Sequence, residues 1–338
     1  MPSKSDWQTA FAVCAAIIGA GFASGREIVS FFSCFGAASF LGIAAASAGV
    51  GALVYAILLL TRRTHSATFP GLYGALMGEP CKDAVSVLYG LLCLVTASAM
   101  LSAGAELGAL AFPIHRAYEL GFFLTLLTAL AAVCRGFHSL SLMGALLFPM
   151  TAVYFGIMAF DGRYPVRFEP ADLLPALPMG LIYASFNGAL AAGAICSSGR
   201  GEASPARAAY LTACLLFLLL TLSDCAMLRS GNTVMQMSLP SVALAAEWGV
   251  VGYYSSIVVL WLSCLSTLCA MLHSAAAQLT DAGFSKPLSL LVSALAAALI
   301  AVCGFQTLVD AVYPLLGWVC GFVLVALLLF LPTKNEES

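Results

Sequence analysis

Ten apolar runs, cut apart by glycine, proline and charge, divide this chain at about 7–35, 37–61, 83–112, 117–134, 137–160, 173–197, 208–229, 250–279, 287–304 and 307–331. Each suits an α-helix crossing a hydrocarbon core about 30 Å thick. Backbone polar groups in hydrocarbon must bond internally, which helices do and open strands do not. The short alternating segments of a membrane barrel are absent from the pattern. Only 9% of the residues are charged, against about 25% in a soluble domain. The expected fold is an all-α integral membrane protein of ten transmembrane helices, with 1–338 as a single transmembrane domain.

Charge then gives orientation and excludes partners. With a cytoplasmic N-terminus, Lys4, Arg62, Arg63, Lys82, Arg135, Arg200, Arg207, Lys286 and Lys334 fall inside, and Arg116, Arg163, Arg167 and Arg229 outside. That ratio of nine to four follows the positive-inside rule, so both termini are expected in the cytoplasm and the chain in the cell membrane. A net charge of −2 with no basic patch suggests no nucleic acid. Twelve cysteines without a CxxC pair or a Cys/His cluster read as small buried hydrophobes. The start, Met1-Pro2-Ser3-Lys4, carries no typical cleavage site.

The first run is spoiled in its middle. Gly19-Ala20-Gly21-Phe22-Ala23-Ser24-Gly25-Arg26-Glu27 puts three glycines and two charges where a span should be uniformly apolar. From Trp7 to Gly19 is a climb of about 18 Å, near the bilayer midplane. The sixth run holds Pro178, Gly180 and Tyr183-Ala184-Ser185-Phe186-Asn187-Gly188, reached about 15 Å from the other side. Interrupted helices at matching positions in two halves point to a transporter's midplane site and an inverted five-plus-five repeat. The repeats run about 7–160 and 173–331, with helices 1 and 6 discontinuous. Small residues also permit plain close packing, which suits Gly42, Gly49 and Gly51. Arg26 and Glu27 are what packing alone leaves unexplained. On this reading Gly19 to Gly25, with Tyr183, Ser185, Phe186 and Asn187, line a substrate site. Free amides around Ser24 to Glu27 would attract an anion, and free carbonyls near Ile18 a cation. Asp224 reads as reaching the outer interface, Glu106 as a vestibule or interfacial carboxylate, and Pro314 as the kink of the last span.

Gly19 to Ile28 with Phe31-Phe32, Ala184-Ser185-Phe186-Asn187, and Thr307-Leu308-Val309-Asp310 followed by Tyr313-Pro314-Leu315 resemble the YkvI-like family of bacterial membrane proteins. The similarity runs over nearly the whole chain. That family looks like a distant branch of the amino acid–polyamine–organocation superfamily, which has the LeuT fold. The resemblance implies a secondary transporter and supplies no substrate. In sodium-coupled members of that fold, span 8 presents neighbouring hydroxyls to carbonyls of span 1. The matching positions here are Ser263, Ser266 and Thr267, with the carbonyls of Ala15 and Ile18. The fold also commonly closes its outer vestibule with an Arg–Asp pair, which matches Arg26 and Asp310. Glu27 is open to two readings, a proton-coupling carboxylate or a structural acceptor.

The function implied is ion-coupled transport of a small amino-acid-like solute by alternating access, with sodium or a proton as the coupling ion. A membrane sensor that binds solute without moving it is the reading from another class. No HExxH motif and no nucleophile–base pattern suggest an enzyme, and no cofactor beyond a sodium ion is implied.

Overall fold

The computed structural model describes residues 2–66, 68–135, 138–160, 173–199 and 201–330, leaving aside the side chains of Ala20 and 138–148. Arg163, Arg167, Arg200 and Lys334, which enter the orientation count, lie outside the described residues. The described residues are helical, with no strand among them. In chain order the helices are α1 (Lys4–Ile17), α2 (Ala20–Ala23), α3 (Arg26–Phe31), α4 (Ser39–Thr64), α5 (Phe69–Met77), α6 (Glu79–Ala111), α7 (Ala117–Arg135) and α8 (His138–Phe160). The second half follows with α9 (Leu173–Ser198), α10 (Pro205–Ser230), α11 (Asn232–Met235), α12 (Pro240–Ala246), α13 (Gly249–Asp281), α14 (Lys286–Ala301), α15 (Phe305–Thr307) and α16 (Tyr313–Leu328). A 3-10 turn (Ser33–Ala38) precedes α4, and a π-helical turn (Leu308–Val312) joins α15 to α16.

Among the described residues, seven helices are long and apolar enough to cross a membrane: those containing α4, α6, α7, α9, α10, α13 and the run from α15 to α16. Helix α14 and the 149–160 part of α8 are apolar but shorter. The outer surface is what a membrane protein needs. Phe123, Val153, Val251, Leu299 and Phe322 are all exposed, each on a different helix. Such a contiguous apolar exterior would aggregate in water and is matched by lipid.

Packing runs through small residues. Helix α4 lies between α9 and α10, α6 between α13 and α7, and α16 against α9. A methyl group on Gly108 of α6 would lie 2.5 Å from the Cα of Gly121 on α7. One on Gly42 of α4 would lie 2.9 Å from the Ala176 carbonyl of α9. Close backbone approach of this kind is how membrane helices gain dispersion contacts.

Two expectations are corrected. Helix 1 is discontinuous, but helix 6 is not: α9 runs unbroken from Leu173 to Ser198 through Pro178. Its glycines serve packing, since Gly180 abuts the backbone of Gly42 and Gly188 abuts Leu53. Its polar groups bond back to the same helix, Ser185 to the Leu181 carbonyl (2.9 Å) and Asn187 to the Tyr183 carbonyl (3.3 Å). Pro314 is the second correction. It sits at the start of α16, where proline costs no hydrogen bond, and the irregularity is the π turn before it.

Candidate functional site

Helix α1 begins on a capping box: the Ser3 hydroxyl accepts from the Asp6 amide at 3.2 Å and Asp6 accepts from the Ser3 amide at 2.7 Å. It stops at Ile17. Ile18 turns to φ −80°, ψ 75°, and the Gly19 amide, which a continuing helix would give to Ala15, donates to Ile17 instead (2.9 Å). The single turn α2 follows, and Gly25 at φ +80° re-aims the chain into α3. Left-handed backbone suits glycine alone without a penalty.

What each glycine faces explains the pattern. A methyl group on Gly19 would lie 2.9 Å from the Thr267 hydroxyl on α13. On Gly21 it would run into the Glu27 carboxyl, and on Gly25 it would lie 2.9 Å from Met227 Sδ. The broken span is thus pressed against α13 at one end and against its own acid at the other. Phe22, between them, is buried edge-on to Phe155.

Thr267 has Ser263 and Ser266 beside it on one face of α13. Elsewhere on that helix, Ser255, Ser256 and Thr280 donate to their own backbone three or four residues back. Ser263, Ser266 and Thr267 make no such bond within the described residues. Of the three, Thr267 is the one placed against the break, at Gly19, and there Ala15 is half-buried and Ile18 buried.

On the α3 side the break is covered. Arg26 grips Asp310 in a bidentate pair, with Nε to Oδ1 at 2.8 Å and Nη2 to Oδ2. Its remaining Nη1 donates to the carbonyls of Met235 (2.7 Å) and Met237 (3.2 Å). Asp310 sits in the π turn, a form that recurs at functional positions. The segment holding α11 and α12 is fastened further, since the Ser241 amide donates to the Ser24 carbonyl (2.9 Å) and Tyr154 to the Ser241 carbonyl (2.9 Å). Ser24 caps the turn itself, donating to Gly21 (2.7 Å) and accepting from the Arg26 amide (3.1 Å). Of the amides around Ser24 to Glu27 expected to hold an external anion, those of Gly25 and Arg26 are therefore already satisfied.

The side toward the start of α1 is closed as well. Asp6 accepts from the Ser204 amide (2.7 Å) and pairs with Arg207 (3.1 Å). Backbone amides of Ser3 and Ser204, the Ser3 hydroxyl and the Arg207 charge hold its carboxyl below the usual range despite desolvation. Arg62 binds the carbonyls of Gly199 (3.1 Å), Gly201 (2.8 Å) and Ala203 (2.5 Å). Both ends of the first span are fastened over its break.

The sixth-span residues divide. Tyr183 is fully buried with Phe31 and Phe32 edge-on to it at 5.3 and 4.9 Å, and Phe186 stacks on Tyr313 at 4.3 Å. Ser185 faces α16 beside Gly321, and Asn187 is buried against its own helix. One residue was given no role in the sequence and another was misplaced. Tyr313 was overshadowed by its proline, yet its hydroxyl is buried near Glu27. Asp224, expected at the interface, is fully buried and accepts from Ser33 and Ser39, each at 2.6 Å. Those two hydroxyls replace the water it would otherwise seek. Glu106 is half-buried beside Ser238, at the edge of the segment holding α11 and α12.

A lipid-facing helical bundle, a first span broken at mid-depth, and polar groups gathered on that break define a multi-pass membrane protein of LeuT-type architecture. The comparisons agree. The chain superposes on the crystal structure of MhsT in complex with L-phenylalanine with a TM-score of 0.74, covering 99% of this chain and 90% of that one at 14% identity. In sequence it is 25% identical over 154 residues to the uncharacterized membrane protein YkvI of Bacillus subtilis (strain 168). That match takes in 46% of this chain and 44% of the relative, so the alignable similarity spans less than half of either. No protein-family model matches. The resemblance to YkvI-like proteins stands, and the superposition establishes the fold.

Proposed function

We propose that this protein is a secondary transporter that moves a small amino-acid-like solute by alternating access, driven by sodium. The observation that carries the reading is the junction of the broken first span with Thr267 of α13, roofed by Arg26 and Asp310. The ten spans of this reading are the seven long helices, α8, α14 and the broken first span, with the two halves related as inverted repeats and both termini cytoplasmic.

Sodium is held by the hydroxyls of Ser263, Ser266 and Thr267 and by the carbonyls of Ala15 and Ile18, an all-oxygen set that suits a hard cation. The solute lies against the unwound stretch from Gly19 to Gly25, with Phe22, Tyr183 and Phe186 as its aromatic surroundings. The Arg26–Asp310 pair is the outer gate. Water weakens such a pair and exclusion of water strengthens it, so it switches with wetting. The contacts of Asp6 and Arg62 with 199–204 form the inner closure. L-phenylalanine bound to MhsT supports an amino-acid-like solute and makes it the first probe.

The test is uptake of labelled amino acids, beginning with L-phenylalanine, into proteoliposomes holding the purified chain. An inward sodium gradient should drive accumulation, and dissipating it should abolish accumulation. Saturable binding without uptake under any gradient would instead establish a sensor.

A further inference from the structure

Three polar atoms are stranded together behind the break. Glu27 Oε2 and the hydroxyls of Tyr183 and Tyr313 are buried without a hydrogen-bond partner. The three residues are 5%, 0% and 0% exposed, and Glu27 lies within electrostatic reach of both tyrosines. A single unsatisfied buried polar group costs about 1–3 kcal/mol, and an unpaired carboxylate more.

An ionised Glu27 needs a positive partner, and among the described residues none is paired with it. Arg26, its neighbour in sequence, is committed to Asp310 and to the carbonyls of Met235 and Met237. Among the described residues Glu27 makes no ion pair. The other groups that face this region are Tyr183 from α9, with Cys14 of α1 behind it, and Tyr313 from α16, with Thr96 of α6 and Cys264 of α13 beside it. From α10, Asp224 is turned toward Ser33 and Ser39. None of these is a cation, so the counter-charge has to be mobile.

Enclosure decides what the counter-charge is. Phe31 and Phe32 cover Tyr183, Phe186 covers Tyr313, and all three phenylalanines are fully buried. A metal ion would want about six oxygens, and an ammonium group three acceptors and the room to hold it. A proton asks for neither. It turns the carboxylate into a neutral acid that needs no counter-charge, with the two phenols within electrostatic reach rather than bonded to it.

We propose that Glu27 is a proton-binding site that loads and unloads as α3 moves, so that the proton is a second coupling ion beside sodium. Arg26 and Glu27 are successive residues of one six-residue helix, so freeing the guanidinium from Asp310 also shifts the carboxyl toward water. The step is a plain proton transfer. An O–H bond forms on the carboxyl with a proton from vestibule water, and the same bond later breaks to return a proton to water on the other side. The inference needs only the motion of α3 from the transport reading.

Infrared difference spectra of the full chain in lipid vesicles, titrated from the acid to the alkaline side of neutrality, test it without any solute. The carbonyl stretch of a buried protonated carboxyl should fade as pH rises, be missing in Glu27→Gln, and shift in Glu27→Asp, Tyr183→Phe and Tyr313→Phe. No difference between wild type and Glu27→Gln at any pH would mean an ionised Glu27 and overturn the proposal. A Glu27 band that persists unchanged throughout would make it a fixed structural acid and overturn it equally. If Glu27→Gln does not fold, the band shift in Glu27→Asp carries the assignment. Sodium-driven uptake can fail while the band titrates, which would remove sodium from the cycle and leave Glu27 as its proton site, so the two failures are distinguishable.

Discussion

Thr267 and Gly19 meet so closely that each constrains the other. Removing the hydroxyl in Thr267→Ala should weaken the sodium dependence of binding or uptake by about tenfold, the worth of about 1.4 kcal/mol, while leaving the fold intact. Sodium titrations of uptake read it directly, and an unchanged dependence would sink the cation site. At the gate, Arg26→Lys keeps the charge but loses the planar fork that serves Asp310 and two carbonyls together. We expect it to transport poorly and to show faster hydrogen exchange over 231–248, with Asp310→Asn doing the same. Exchange equal to wild type in both would remove the gating role. Arg26 was legible in the sequence because charge inside an apolar run has few explanations, whereas Thr267 and Asp310 were singled out through the family resemblance. Tyr313 was not, since a tyrosine beside a proline carries no pattern, and only the fold brings its hydroxyl to Glu27.

At the scale of the helix, the same letters had two meanings. Glycine and serine in the first span accompany a real break, because Gly25 takes a left-handed φ and two further glycines make way for Thr267 and Glu27. In α9 they accompany a continuous helix whose glycines meet α4 and whose hydroxyl and amide bond backward. Periodicity cannot separate these cases, because the difference lies in which neighbour approaches. The seam gives a prediction: Gly180→Ala pushes a methyl group into the Gly42 backbone and should cost about 1–3 kcal/mol as overpacking. Gly156→Ala, with nothing within 4 Å of the added carbon, is the neutral control in the same thermal melts. Equal melting of both would show a loose seam. Helix α1 adds a pH signature. Because the Asp6 carboxyl is held below its ordinary value of 3.8, its stabilising contacts are complete at neutral pH. They fade only as pH falls through that lowered value. Asp6→Asn should therefore expose the 201–207 region to trypsin at neutral pH, where wild type resists. Equal cleavage would mean that Ser204 and Arg207 hold the region without it.

For the molecule as a whole, an ion that binds only the folded form raises stability by mass action. Sodium at a hundredfold excess over its dissociation constant should add about 2.7 kcal/mol, read as a higher melting temperature. Potassium at equal ionic strength should not, and Thr267→Ala should remove the difference. Identical melting in the two salts would argue against a specific sodium site. The outer segment has a consequence at this scale. It is tied to the Ser24 carbonyl and the Arg26 guanidinium, and it is bracketed by Gly231 and Gly249, both at positive φ. It is thus a handle fixed to the moving part, standing at the outer surface on the orientation proposed above. A molecule that grips this handle from outside would brake the cycle without ever entering the site, and would do so whatever the solute turns out to be.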